Sequence, residues 1–587
     1  DEDHKQLVEY KDKQGMVILK KLQSAASPGT SHTGWLCTYY IYDDYGLLRW
    51  VVQPLGVELM AAGSWTITTT IQTEQCFQYE YDQRNRMIIK KVPGAGEVHM
   101  VYDVRDRLVM TQDANLRAED KWLYTVYDHV NRLSSSGIMT SSATRAAHQA
   151  AAYSSTAYPN LGGYTHTELT HQWHDSYPLG SASYSTQDVS KLIAGDNPWP
   201  ETVTKTDLIY GKPTYSYIQT LGLGDPEAKT VFYDEKSRVI QVHSEHIELN
   251  HHVVTNRYDF SGKLICSYQR HGNDASTSHY VFTVRTRMLY DGAGRPIKTW
   301  KQVNDANEKL IVEHSYDELG QLKTKKLSPD FNSGAGIETL NYSYNIRGWM
   351  KSINKDYATG TSNTNWFGQT LSYDHGFTAQ QYNGNISGLQ WRSASDGEQR
   401  AYGFTYDRVN RLLTSDFTQY TSSSWNTSAG LDYSTGNMSY DANGNILTMN
   451  QKGWKLGGSL LIDQLTYTYQ SGSNKLAKVV DANSTNNKLG DFTDGSNSGD
   501  DYLYDANGNM YVDWNKSIIG MELDPNGQKG IVYNHLNLPE RVDIFGKGQV
   551  WYGYDATGVK LVKKVLDMAT SEYTITTYYN GVVYAND

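Results

Sequence analysis

A seven-residue word, Tyr-Asp-x-x-Gly-x-Leu, recurs along the whole chain, and it constrains the fold more tightly than anything else in the sequence. Units begin at Tyr42, Tyr81, Tyr102, Tyr127, Tyr233, Tyr258, Tyr290, Tyr316, Tyr344, Tyr406, Tyr440, Tyr504, Tyr533 and Tyr554. Two are nearly verbatim: YDANGNI from Tyr440 and YDANGNM from Tyr504. Position two is Asp or Asn throughout. Position five is Gly in eight units, Asn in four, and Asp106 and Ser237 in the other two. Gly, Asn and Asp best tolerate a left-handed backbone, and Asp or Asn favours the first position of a type I turn. A type I turn followed by a left-handed residue is a common hairpin loop with a bulge. Each unit is therefore expected to be a strand end, a tight turn and a returning strand.

Between the turns, residues alternate as half-buried strands do, as in FQYEYD ending at Asp82 and LTYTYQ from Leu465. Tyrosine, at 46 residues against 14 Trp and 11 Phe, suits sheets with one dry and one wet face. At 587 residues the chain is too long for one ordinary core, and repeats of this period stack so that neighbours bury a shared face. The fold class expected is all-β: a long antiparallel sheet of hairpins, with a strand-dominated circular dichroism spectrum. The recurring acids bond turn amides and pair with Arg at position six in NRM, DRL and NRL. A catalytic pair would not recur fourteen times at one spacing.

Residues 133–230 break the series: after Leu133 no unit occurs until Tyr233, and Ser, Thr, Ala, Gly and Pro dominate. ATRAAHQAAAY (143–153) has helical propensity, and the remainder reads as loops and edge strands. The chain thus divides into repeats at 1–132, an irregular insertion with a short helix at 133–230, and a repeat region at 231–587. Stretches 357–370 and 483–500 read as long polar loops.

A net charge of −11 argues against nucleic acid, where basic stripes supply most of the affinity. No apolar run approaches a membrane span. Three cysteines, Cys37, Cys76 and Cys266, exclude a disulfide framework, and DEDHKQ at the start carries no secretory signal pattern. HSEHIELNHH (243–252) clusters His with Glu245 and Glu248; in a strand His243, Glu245 and His251 share a face zinc accepts, but a polar strand pair is the favoured reading. Asp441, Asn443 and Asn445, and likewise Asp505, Asn507 and Asn509, are spaced like the start of a calcium loop, yet the Gly and Glu an EF-hand needs do not follow. No phosphate loop and no Gly-x-Ser-x-Gly elbow occurs. No catalytic, cofactor-binding or metal-binding residue is assigned, and no cofactor is expected.

The Tyr-Asp-x-x-Gly-x-Leu series resembles the YD (Rhs) repeat family, which includes teneurins, insecticidal toxin-complex shells and bacterial polymorphic toxins. YKDKQGMVILKK, CFQYEYDQRNRMIIKKVPGAGEVHMVYDVRDRLVMTQD, QYNGNISGLQW and YNHLNLPERVDI resemble its Bacteroidetes-type branch. The resemblance implies a sheet coiled into a hollow shell, non-enzymatic, secreted or at the bacterial cell surface. It also implies a C-terminal toxin cargo of the same polypeptide, secretion-system partners and interbacterial competition. LDPNGQ (523–528) echoes the family's cleavage motif but lies between ordinary repeats, so it reads as a turn. The closing segment and cargo are expected outside this chain. About 28 strands at ~4.8 Å each make a ribbon of roughly 130 Å, about one turn of such a coil. The alternative function is an adhesion module that binds glycan or protein.

Overall fold

The computed structural model describes residues 5–585 apart from 156, 223, 225, 247–249, 273–279, 456, 484–491, 496, 521–528 and 580. All fourteen words fold alike. Position five has a positive φ in every unit, from +59° at Asn537 to +95° at Gly444. Its N–H bonds the position-two carbonyl, and the position-two N–H bonds the position-six carbonyl, as in Gly444 to Asp441 (3.1 Å) and Asp441 to Asn445 (2.9 Å). The side-chain oxygen at position two accepts the position-six N–H in all fourteen. Register shifts at the tyrosine, as between Glu80 and Tyr81 and between Thr405 and Tyr406, which is the expected bulge. A further copy escaped the pattern because Lys11 separates Tyr10 from Asp12. Gly15 there has φ +87°, and Asp12 accepts from the N–H groups of Gln14 and Met16.

Nothing lies within 4 Å of a Cβ added at Gly444, whose φ is +95°. The penalty for a side chain there is therefore backbone strain alone. Gly444→Val is expected to cost about 1–3 kcal/mol, and Gly444→Asn less, as read by denaturant unfolding.

The repeats interlock through the tyrosine. Its hydroxyl donates to the position-seven carbonyl of the preceding unit: Tyr102 to Met87 (2.8 Å), Tyr127 to Leu108 (3.0 Å), Tyr440 to Leu412 (2.6 Å) and Tyr533 to Met510 (2.6 Å). The position-six Arg pairs with its own turn's Asp, as Arg107 with Asp103 and Arg411 with Asp407 (2.6 Å each). The same guanidinium lies over the next unit's tyrosine, 4.7 Å from the ring centre for both Arg86 on Tyr102 and Arg411 on Tyr440. Tyr440→Phe leaves the Leu412 carbonyl without its donor and is expected to cost about 1–2 kcal/mol in thermal unfolding.

From Leu7–Lys11 to Leu476–Asp481 successive strands pair antiparallel in one 31-stranded sheet, in which Ser424–Asn426 is a side branch on Leu412–Thr421. A two-stranded ladder, Tyr502–Tyr504 with Met510–Asp513, follows. Strands from Ile531–Tyr533 to Val582–Ala585 form a second sheet, which Thr220–Leu221 joins by pairing with Asp555 and Tyr554. Strands so distant in sequence pair only if the ribbon has coiled back on itself. Helices seal one face locally: Pro54–Ala62 and Thr69–Gln75 cover a cluster of Trp35, Cys37, Val52 and Cys76. The three cysteines are buried and unbridged.

Within 133–230 a helix, Arg145–Tyr153, is capped by Thr144, whose hydroxyl accepts the Ala147 N–H. The strands there are interior, not edges: Leu133–Thr140, His166–His174 and Pro213–Ile218 each pair on both sides. Their alternating residues suit a ladder even without the Tyr-Asp turn, and only the connections become long. Stretch 357–370 is less of a loop than its polarity predicts. A helical turn, Lys355–Ala358, buries Tyr357 beneath Arg392, and Phe367–Ser372 is already strand. Half of the stretch 483–500 (484–491 and 496) and the whole motif at 523–528 lie outside the described residues.

Candidate functional site

The coil meets itself along a polar seam about 390 residues deep in sequence, and the two verbatim words lie on it. Asn443 Oδ1 accepts the N–H of Leu55 at 2.8 Å, at the start of Pro54–Ala62. That helix has no cap from its own Gln53 side chain, so a turn 388 residues away satisfies one of its orphan donors. Asn443 Nδ2 donates to Gln75 Oε1 and to Asn474 Oδ1, both at 2.8 Å. Asn507 does the same one repeat later. Its Oδ1 accepts the N–H groups of Ala114 and Asn115 (3.1 and 3.2 Å), where Ala114–Ala118 begins, and its Nδ2 donates to Asn537 (2.8 Å).

Asparagine at position six completes the arrangement. Asn445 and Asn509 take the place of Arg, donating to their own Asp441 and Asp505 and also to Asn474 and Asn537. Gln75 donates to the Gly472 carbonyl, Ser473 to Glu74, and Asn474 to Gln53. A small neutral amide serves both as donor and acceptor where two backbone edges meet closely. Beside the seam, helix Ala114–Ala118, residues 219–222 and residues 529–540 enclose a cavity of about 740 Å³.

These contacts also engage the Asp441 carboxylate and the Asn443 amide oxygen, which resemble the start of a calcium loop. Asp441 Oδ1 accepts the Asn445 N–H and its Oδ2 the Asn445 amide. Among the described residues no group of three or more His, Cys, Asp or Glu is disposed to hold a metal.

The histidine stretch divides across its strand. His243 and His251 share a face as expected, rings 5.7 Å apart, with His251 Nδ1 3.4 Å from Glu245; His243 bonds Gln241 (2.9 Å). Glu248 lies outside the described residues. On the other face His252 packs at a tilt 4.1 Å from His271, which stacks 4.5 Å from Phe282. Tyr579 of the last hairpin meets His252 edge-on, ring centres 6.2 Å apart. His271 carried no sequence signal, since it enters only through the register that sets it opposite His252. His252 is 3 % exposed and His271 fully buried. Burial lowers the His252 pKa to about 3, helped by His271, His251 and Lys229, and the His271 pKa to about 4. Burial, then His251 and Arg270, lowers His243 to about 4.

No family model and no curated protein sequence matches the chain. Solved structures do. The Tc holotoxin pore of Photorhabdus luminescens superimposes with a TM-score of 0.63 at 14% identity, over 99% of this chain and 24% of that one. The TcdB2-TccC3 crystal structure gives 0.64 at 14% identity, over 99% of this chain and 25% of that one. TcdB2-TccC3 without its hypervariable C-terminal region gives 0.62, also at 14% identity, over 97% and 24%. The chain spans about a quarter of the length of these proteins. Its fold is that of an Rhs-repeat shell.

Proposed function

We propose that this chain is a structural wall segment of an Rhs-type shell, without catalytic activity, that encloses a C-terminal toxic domain of the same polypeptide for delivery. The observation that carries the reading is the seam. A ribbon that docks on itself after about 390 residues, through paired Asn turns and helix starts, builds a wall rather than an open sheet. The likeness to Tc toxin structures, one of which is described as lacking a hypervariable C-terminal region, supports the same reading. No described helix is long and apolar enough to cross a membrane. The division into 1–132, 133–230 and 231–587, Bacteroidetes-type secretion, and a role in interbacterial competition belong to this proposal.

Intact mass and C-terminal peptide mapping of the native polypeptide test it. A continuation past Asp587 into a small unrelated domain that resists protease until the shell is unfolded is the expected result; a polypeptide with no such domain overturns it. A second reading, adhesion, is favoured by one surface feature. Trp199 (80 % exposed), Tyr210 and Phe260 stand out from the wall, with the Phe260 N–H bonded to the Trp199 carbonyl. Glycan or protein binding abolished by Trp199→Ala, in a polypeptide without cargo, would establish it instead.

A further inference from the structure

The hairpin of Glu572–Tyr579 and Val582–Ala585 belongs to the second sheet, yet one of its faces lies on the first. Tyr579 and Tyr584 share that face, because Val582 stands opposite Tyr579 and Tyr584 opposite Thr577. Beneath them the register sets Lys229, Ser244, His252, His271 and Phe282 side by side across five strands. Tyr579 meets His252, and the Tyr584 ring centre lies 6.4 Å from that of Phe282. Tyr579 and Ser244 are each 2 % exposed. The far face of these strands is closed separately, where the Ser185 N–H bonds Gln241 (2.7 Å) and Asp188 pairs with Arg270 (2.6 Å). The hairpin can therefore lift without undoing that side.

The centre of this row is costly chemistry for a permanently dry contact. Among the described residues neither nitrogen of His271 has a hydrogen-bond partner, nor has Nε2 of His252. A phenylalanine would fill either place without that penalty. Nor do the described residues hold a free counter-charge against the pair. Glu227, beside the row, is already held by Lys229 at 3.0 Å, and the hairpin brings only the phenols of Tyr579 and Tyr584. On the far face Glu245 lies 3.4 Å from His251. Two imidazolium rings with centres 4.1 Å apart would also repel each other. The closed contact thus excludes both protons, and water reaches the rings only when the hairpin rises.

We propose that this contact is an acid-sensitive latch: the hairpin lies closed on His252 and His271 at neutral pH and lifts from the wall when the two imidazoles take up protons. The event is local, because the strand ladder beneath the rings and the contacts on its far face stay in place. The open form binds two protons that the closed form excludes, so the ratio of open to closed rises below the ordinary histidine range. From pH 7.5 to 5.5 that rise is on the order of a hundredfold for two groups titrating near 6.5. The inference does not depend on what the shell encloses.

Thiol labelling tests it. Ser244→Cys places a thiol beneath the hairpin, and dithiodipyridine, a disulfide reagent that stays reactive in acid, reads its exposure against a free thiol at each pH. The buried Cys37, Cys76 and Cys266 report unfolding of the whole chain in the same sample. Labelling at position 244 is expected to accelerate on the order of a hundredfold from pH 7.5 to 5.5 while the native thiols stay unreactive. Adding His252→Phe and His271→Phe should remove the acceleration. Labelling that is flat with pH, that rises in step with the native thiols, or that rises equally in the double phenylalanine variant overturns the proposal. Should Ser244→Cys fail to fold, exchange of the imidazole Cε1 hydrogens in the unsubstituted chain decides, with exposed His375 as the reference. Protection of His252 and His271 at pH 7.5 that is lost by pH 5.5, under an unchanged circular dichroism spectrum, supports the latch; protection kept at pH 5.5 overturns it.

Discussion

Replacing Asn443 and Asn507 together with Ala is expected to destabilise the chain by about 4–8 kcal/mol. Each side chain makes three seam bonds: Asn443 with Leu55, Gln75 and Asn474, and Asn507 with Ala114, Asn115 and Asn537. At about 0.5–1.5 kcal/mol net per bond, with orphaned partners left in a half-buried contact, each substitution costs about 2–4 kcal/mol. The two turns share none of these partners, so their effects should add. The control is the same turn position where no second pass lies against it. Val130 is exposed at position four of its unit, and Val130→Ala should stay within about 0.5 kcal/mol. Denaturant unfolding checks both. A seam loss no larger than the control's would mean that the two passes merely lie side by side.

Acidification should weaken the structure between about pH 6.5 and 4. His243, His252 and His271 are buried as neutral imidazoles, with pKa values lowered to about 4, 3 and 4. The unfolded chain binds their protons near pH 6.5 and the native one does not, so their stability contribution is whole above 6.5 and falls as pH drops. Each fully shifted histidine removes up to about 1.4 kcal/mol per pH unit. By pH 5 the three together remove on the order of 4–6 kcal/mol. Charges facing the pair from packed strands give little relief: Lys229 is paired to Glu227 at 3.0 Å, and burial drives the Tyr579 phenol far above its usual range, keeping it neutral. His271→Phe, which keeps the stack on Phe282, should reduce the slope by about a third. Unfolding midpoints measured from pH 7.5 to 4.5 decide the matter; a flat profile would mean that these rings carry their protons in the native state.

The turn chemistry was legible because it is local. Seven residues hold every atom of the hairpin: the Asp oxygen, the amides it accepts and the left-handed residue at position five. That is why Asn85, Asp106, Ser237 and Gly444 could all be placed from the word alone. The copy at Tyr10 was lost to a one-residue insertion, and the strands of 133–230 were misplaced to an edge because their long connections hid the pairing. The candidate site was half legible. Asn443 and Asn507 stood out by repetition, but their oxygens looked like cation ligands, since their true partners, Leu55 and Ala114, lie about 390 residues away.

What the sequence determined by itself is therefore the ribbon: its hairpins, its bulges and the all-β class, each set by backbone preferences acting over a few bonds. Tertiary structure alone decided where the ribbon returns. The twist and curvature of some two dozen strands accumulate before Asn443 reaches helix Pro54–Ala62, and no local residue encodes that sum. Cross-strand register likewise set His271 against His252, because a one-residue slip would turn each side chain to the other face.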